Sequence, residues 1–132
     1  MKVDLSKNYH LLNGADLAYI GDAYYELEIR KYLLSCGITK NKELKEKSVS
    51  FVSAHAHQVI YNGLMEVFTE EENNIFKRGR NGAPLNHRKN LNMQEYFVSS
   101  GFEAVIGYLY LKSDFERLNF LIKKAISIIE GE

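Results

Sequence analysis

Apolar residues after Asn13 recur at Leu17, Ile20, Tyr24, Leu27 and Leu34, with Lys31 as the one interruption, a spacing that follows the turn of an α-helix. It predicts a first helix from about Gly14 to Ser35, capped by Asn13, favoured at its positive end by Asp16 and stopped near Gly37. A second helical run begins near Asn41. Its apolar and ring positions Leu44, Val49, Val52, His55, Val59, Leu64 and Met65 are too spread for one straight stripe, so a break is expected near Ser53 or Ala54. Thr69 with Glu72 and Ser113 with Glu116 fit the capping box and predict two further helix starts. The stretch MQEYFVSSGFEAVIGYLYL reads as a helix because Phe102, Val105, Ile106 and Leu109 hold a helical spacing and no period of two persists. The last helix, from about Asp114 to Ile129, presents Phe115, Leu118, Leu121, Ile122, Ala125, Ile126 and Ile129 to a core.

One stretch breaks this pattern. The sole proline, Pro84, lies in RGRNGAPLNHRKN beside Gly79, Gly82 and several asparagines, which predicts a long polar loop. With no repeat or low-complexity tract, the economical architecture is a single all-α domain, a helical bundle of about five to seven helices.

Composition fits that size. In 132 residues, 45% hydrophobic content supplies a core without metal or disulfide staples. The lone cysteine, Cys36, excludes an intramolecular disulfide and suits a reducing compartment. No run approaches the ~18 apolar residues of a membrane span, and MKVDLSKNYH lacks the apolar segment of a signal peptide, so a cytoplasmic protein is expected. Seventeen basic and seventeen acidic residues cancel, which argues at first against a nucleic-acid binder. The sum hides an uneven distribution: Asn73 to Gln94 holds Lys77, Arg78, Arg80, Arg88 and Lys89 with His87 and no acid, directly after the acidic run Glu70 to Glu72.

Two segments place a carboxylate among small and apolar helical residues, ADLAYIGDAYYELE around Asp22 and SSGFEAVIGYLYL around Glu103. Asp22 shares a face with Ala18 and Glu26, and Glu103 with Gly107 and Tyr110, so two such helices can approach closely with the acids across the seam. Oxygen ligands without a cysteine or histidine cluster favour Mg²⁺ or Mn²⁺ and leave positions for water and phosphate, as in a phosphodiester hydrolase. Ordinary solvated acids on amphipathic helices fit the same residues. The KRGRNG loop, followed by His87, Arg88 and Lys89, offers cations and amide donors to phosphates, and equally fits a plain solvated loop. No phosphate-binding P-loop is present. His55 and His57, two apart, face different directions and do not form a zinc-hydrolase pair; packing or RNA contact is open to His55.

Taken together, LNGADLAYIGDAYYE, TKNKELKEKSVSFVSAHAHQ, FTEEENNIFKRGRNG and SSGFEAVIGYLYL, in that order, resemble the catalytic domain of the ribonuclease III family, and more closely its short branch, Mini-ribonuclease III. The resemblance implies a compact helical homodimer presenting two Mg²⁺-dependent sites to double-stranded RNA. It matches Asp22 and Glu103 to the family's metal-binding aspartate and essential glutamate. Ala15, Ala18 and Ser100 stand where longer members carry acids, a reduction shared by the short branch.

The activity implied is hydrolysis of double-stranded regions in precursor 23S ribosomal RNA, leaving a 5′ phosphate and a 3′ hydroxyl, with Mg²⁺ (or Mn²⁺) held by Asp22 and Glu103. Lys77, Arg78, Arg80, Arg88 and Lys89 would position the RNA backbone, with Asn81 adding a hydrogen bond, Gly79 and Gly82 permitting close approach, and His55 as a further contact. Residues 1–132 would be one catalytic domain without a separate double-stranded-RNA-binding domain, and target choice would rest on RNA structure or a ribosomal protein. Two alternatives stay open at this point: a noncatalytic structured-RNA-binding or ribosome-assembly protein, and a purely structural helical dimer.

Overall fold

Local rules place most helix ends where the sequence predicts them. The computed structural model describes residues 1–85 and 92–132; the candidate contacts His87, Arg88 and Lys89 lie outside the described residues. The described residues form α1 (Leu5–Asn8), a 3-10 turn (Tyr9–Leu11), α2 (Gly14–Ser35), α3 (Asn41–Val52), α4 (Ala54–Leu64), α5 (Glu70–Asn81), α6 (Met93–Leu111) and α7 (Phe115–Glu130). The Asp16 amide donates to the Asn13 side chain at 2.8 Å to open α2, and Gly37 follows its end with φ of +84°. Ser53, with ψ of 159°, breaks α3 from α4 and caps α4 through the Ala56 amide. Thr69 and Glu72 form the reciprocal capping box of α5.

The centre of the fold is α6. Every residue from Val98 to Leu109 is buried except Glu103, which is half-buried. A helix apolar on nearly all sides belongs in a core, and α2, α4 and α5 surround α6, with α7 closing against α4 and α6. Close backbone contact makes this enclosure work. A Cβ on Gly107 would stand 2.0 Å from the Leu17 carbonyl oxygen, and one on Gly79 would stand 2.5 Å from the Ala104 Cβ.

Four expectations need correction. The buried stripe of α2 is Leu17, Gly21, Tyr25, Ile29 and Leu33, whereas Leu27 and Leu34 are exposed, because contact with α6 is centred on small residues rather than on the bulkiest ones. The stretch from Lys77 to Asn81 is not loop but the last turns of α5; the packing of Gly79 on α6 outweighs its low helix propensity. Ser113 and Glu116 form no capping box. Ser113 takes the left-handed conformation at φ of 65°, and Asp114 caps α7 by accepting from the Arg117 amide at 3.2 Å. Phe115, expected in the core, is likewise exposed, while Leu118, Leu121, Ile122 and Ala125 are buried as expected.

Candidate active site

Asp22 and Glu103 meet because α2 and α6 touch where neither carries a side chain. Gly21 precedes Asp22, and a Cβ there would fall 1.8 Å from the Glu103 carbonyl oxygen. This contact brings the exposed Asp22 carboxylate within hydrogen-bonding reach of the Glu103 carboxyl. Burial, followed by the hydrogen bond and charge of Asp22, pushes Glu103 up to about 9, while the Ser99 hydroxyl opposes the shift. Glu103 thus holds a proton at neutral pH unless a cation joins the pair.

Among the described residues no ion pair uses Asp22 or Glu103, and no group of three or more His, Cys, Asp or Glu residues surrounds a metal position. Two converging carboxyl groups, one of them destabilised in its ionised form by the other, are a donor set that a hard divalent cation relieves. Mg²⁺ is commonly held by one or two carboxylates, with water and substrate phosphate completing its shell. Ala15, Ala18 and Ser100 add no carboxylate; Ala18 and Ser100 are themselves buried.

The basic segment divides by role. Lys77, Arg80 and Asn81 are exposed on α5. Arg80 donates to the Asn81 side chain at 3.2 Å and lies 5.9 Å from the Phe76 ring centroid. Arg78 instead turns to its own chain, donating to the carbonyls of His10 and Leu12 at 3.2 and 3.3 Å. Gly79 is buried against α6, so its bareness serves helix packing rather than close approach of RNA. His55 is exposed on α4, with Nδ1 2.5 Å from the Glu95 carboxylate. A cavity of about 830 Å³ opens between α4, α5 and α6, with Tyr61 stacked on Phe76 at 4.0 Å and Arg80, Asn81 and Phe97 in its lining; Asp22 and Glu103 are not part of it.

Two polar contacts inside the fold escaped the sequence reading. Arg117 makes paired hydrogen bonds to the Glu72 carboxylate at 2.8 and 2.9 Å and donates to the Val67 carbonyl, a tie between α5 and α7. His57 lies inside the core against Ser99, one helical turn before Glu103. The alternation in AHAHQ signals that one histidine faces inward, but nothing local points to Ser99.

The family model for the Ribonuclease III domain matches residues 15–114, a span that takes in both carboxyl groups at the crossing of the two longest helices, and this makes the chain a ribonuclease III-type nuclease domain. The chain is 43% identical to Mini-ribonuclease 3 of Enterococcus faecalis over 91% of its own length and 92% of that relative. It is 40% identical to Mini-ribonuclease 3 of Streptococcus pneumoniae, covering 92% and 97% of the two chains. The chain belongs to the Mini-ribonuclease 3 family. An X-ray crystal structure of a Fusobacterium nucleatum protein matches with a TM-score of 0.81 at 31% identity, over 91% of this chain and 96% of that one.

Proposed function

We propose that this chain is a homodimeric, Mg²⁺-dependent endoribonuclease that cuts double-stranded regions of precursor 23S ribosomal RNA through Asp22 and Glu103. Its nuclease class follows from family membership. The observation that carries the site is the meeting of Asp22 and Glu103 at the crossing of α2 and α6, where Glu103 is the one residue between Val98 and Leu109 not fully buried. A divalent ion bound there supplies a Lewis acid for the phosphodiester and an activated water.

The chain's own groups do the rest. Asp22 offers an exposed carboxylate, and Glu103 gives up its proton to complete the pair. Neither needs to serve as a free general base. Lys77 and Arg80 carry exposed charge for phosphates, with Asn81 beside them; contact through base edges is unnecessary, because A-form RNA is read mainly by shape and backbone. Arg88, Lys89 and His55 complete the proposed RNA-contact set. Tyr19, Leu27 and Leu34 stay exposed on α2, which supports a second copy packing on that helix. No helix among the described residues is long and apolar enough to cross a membrane, and a cytoplasmic site of action with possible ribosomal-protein assistance belongs to the same proposal.

The test is incubation of the purified protein with a precursor 23S fragment in Mg²⁺, followed by mapping of the ends: staggered cuts bearing 5′ phosphates and 3′ hydroxyls are expected. The alternative is motivated by Ala15, Ala18 and Ser100, which leave the acid cluster small. A noncatalytic RNA-binding or ribosome-assembly protein would bind the fragment in a salt-sensitive way without divalent metal and leave it intact.

A further inference from the structure

His57 on α4 is 1% exposed and walled by Tyr25 and Phe102, whose ring centroids lie 5.2 and 4.9 Å away. Its Nδ1 stands 2.7 Å from Ser99 Oγ, whereas its Nε2 meets no polar partner among the described residues. Ser99 and Glu103 are four apart on one face of α6, which sets the Ser99 hydroxyl beside the Glu103 side chain. Burial holds the imidazole neutral, pushing it down to about 3, so one ring nitrogen carries a proton and the other a lone pair.

Two arrangements of hydrogens fit these contacts. In the first, His57 Nδ1–H donates to Ser99 Oγ, and the Ser99 hydroxyl is left free to turn its proton toward Glu103. In the second, the Ser99 hydroxyl donates to Nδ1, turns a lone pair toward the Glu103 carboxyl, and leaves an Nε2–H buried without an acceptor. A buried orphan N–H is costlier than an idle lone pair, so the first arrangement is favoured.

We propose that His57 is a positioning residue of the nuclease site: in its Nδ1–H form it fixes Ser99, and Ser99 fixes the Glu103 carboxyl in the orientation that receives a divalent cation. The inference rests on Asp22 and Glu103 as the metal-holding pair. It gives that pair the outer hydrogen-bond support that metal-binding side chains generally carry, reaching from α4 through α6.

Nitrogen-15 NMR of the full-length, metal-free protein reads the tautomer directly. The proton is expected on Nδ1 in the wild type and is expected to move toward Nε2 in Ser99→Ala; an Nε2–H tautomer in the wild type overturns the proposal whatever the activity. Calorimetric titration with Mn²⁺ is the second arm. Ser99→Ala and His57→Phe are expected to weaken binding about tenfold or more, the double variant no further than the worse single one. His57→Asn, whose amide nitrogen can occupy the place of Nδ1, should recover most of the loss, and KM for RNA should not move. Wild-type Mn²⁺ affinity in folded Ser99→Ala and His57→Phe overturns the proposal. Failure of the underlying metal reading looks different, because the wild type itself would then bind no Mn²⁺ while His57 kept its Nδ1–H.

Discussion

Gly21 and Glu103 are in backbone contact: a Cβ on Gly21 would stand 1.8 Å from the Glu103 carbonyl oxygen and 2.7 Å from the Gly107 amide nitrogen. Both of those atoms belong to the α6 backbone, so no flexible side chain can yield. The acid pair therefore depends on a residue that has no chemistry of its own.

Gly21→Ala tests this dependence. Alanine gains about 1 kcal/mol in helix propensity over glycine, but separating two packed helices costs about 1–3 kcal/mol or more. The clash is expected to win. Urea denaturation should show a net loss of stability, and the variant that remains folded should cleave RNA slowly, because Asp22 and Glu103 have moved apart.

Glu103 sets a pH dependence of stability in the metal-free protein. Its folded-state value is raised from 4.5 to about 9, so between those limits the folded chain holds a proton that the unfolded chain has released. Its stabilising contribution is complete below about 4.5 and is lost as pH rises toward about 9. Glu103→Gln removes that loss, and its thermal midpoint at pH 8 without metal should exceed that of the wild type by the equivalent of more than about 1 kcal/mol. Added Mg²⁺ should raise the wild-type midpoint and leave the variant unmoved. A wild type as stable as Glu103→Gln at pH 8 without metal would refute the strained pair.

His57 acts in the opposite sense at acid pH. Its folded-state value is lowered from 6.5 to about 3, so in that window the unfolded chain binds the extra proton and stability falls as pH drops. His57→Asn should flatten the decline between about pH 6.5 and 3 in a urea series.

The basic face of α5 should separate by residue. Lys77→Ala and Arg80→Ala are expected to weaken RNA binding across sequences, and each should reduce the slope of log affinity against log salt by about 1. Arg78→Ala should leave that slope nearly unchanged and instead free the segment around His10 and Leu12, whose carbonyls Arg78 holds. Equal slopes for all three variants would contradict the division.

The parts of this molecule that were legible in its sequence are those decided within a few residues. Asn13, Ser53 and the Thr69–Glu72 box mark helix starts because caps act over one turn. Asp22 and Glu103 stood out because an acid among small and apolar helical residues is costly without a reason. Most of what failed depended on partners distant in sequence; the Ser113–Glu116 box failed locally, because Asp114, one residue on, caps α7 in its place. The buried stripe of α2 is chosen by the glycine seam with α6, and Gly79 is helical because Ala104 lies against it; read locally, leucines look buried and glycines look like loop. The link from His57 to Ser99 spans 42 positions and has no local signature.

The most direct measurement is single-turnover cleavage of a precursor 23S fragment by wild type, Asp22→Asn and Glu103→Gln, at fixed Mg²⁺ and salt and with matched circular dichroism. The wild type should produce mapped double-strand cuts only with metal present, and each folded variant should be at least about a hundredfold slower. Cleavage at the wild-type rate by either folded variant would contradict the assignment of Asp22 and Glu103 as the nuclease site.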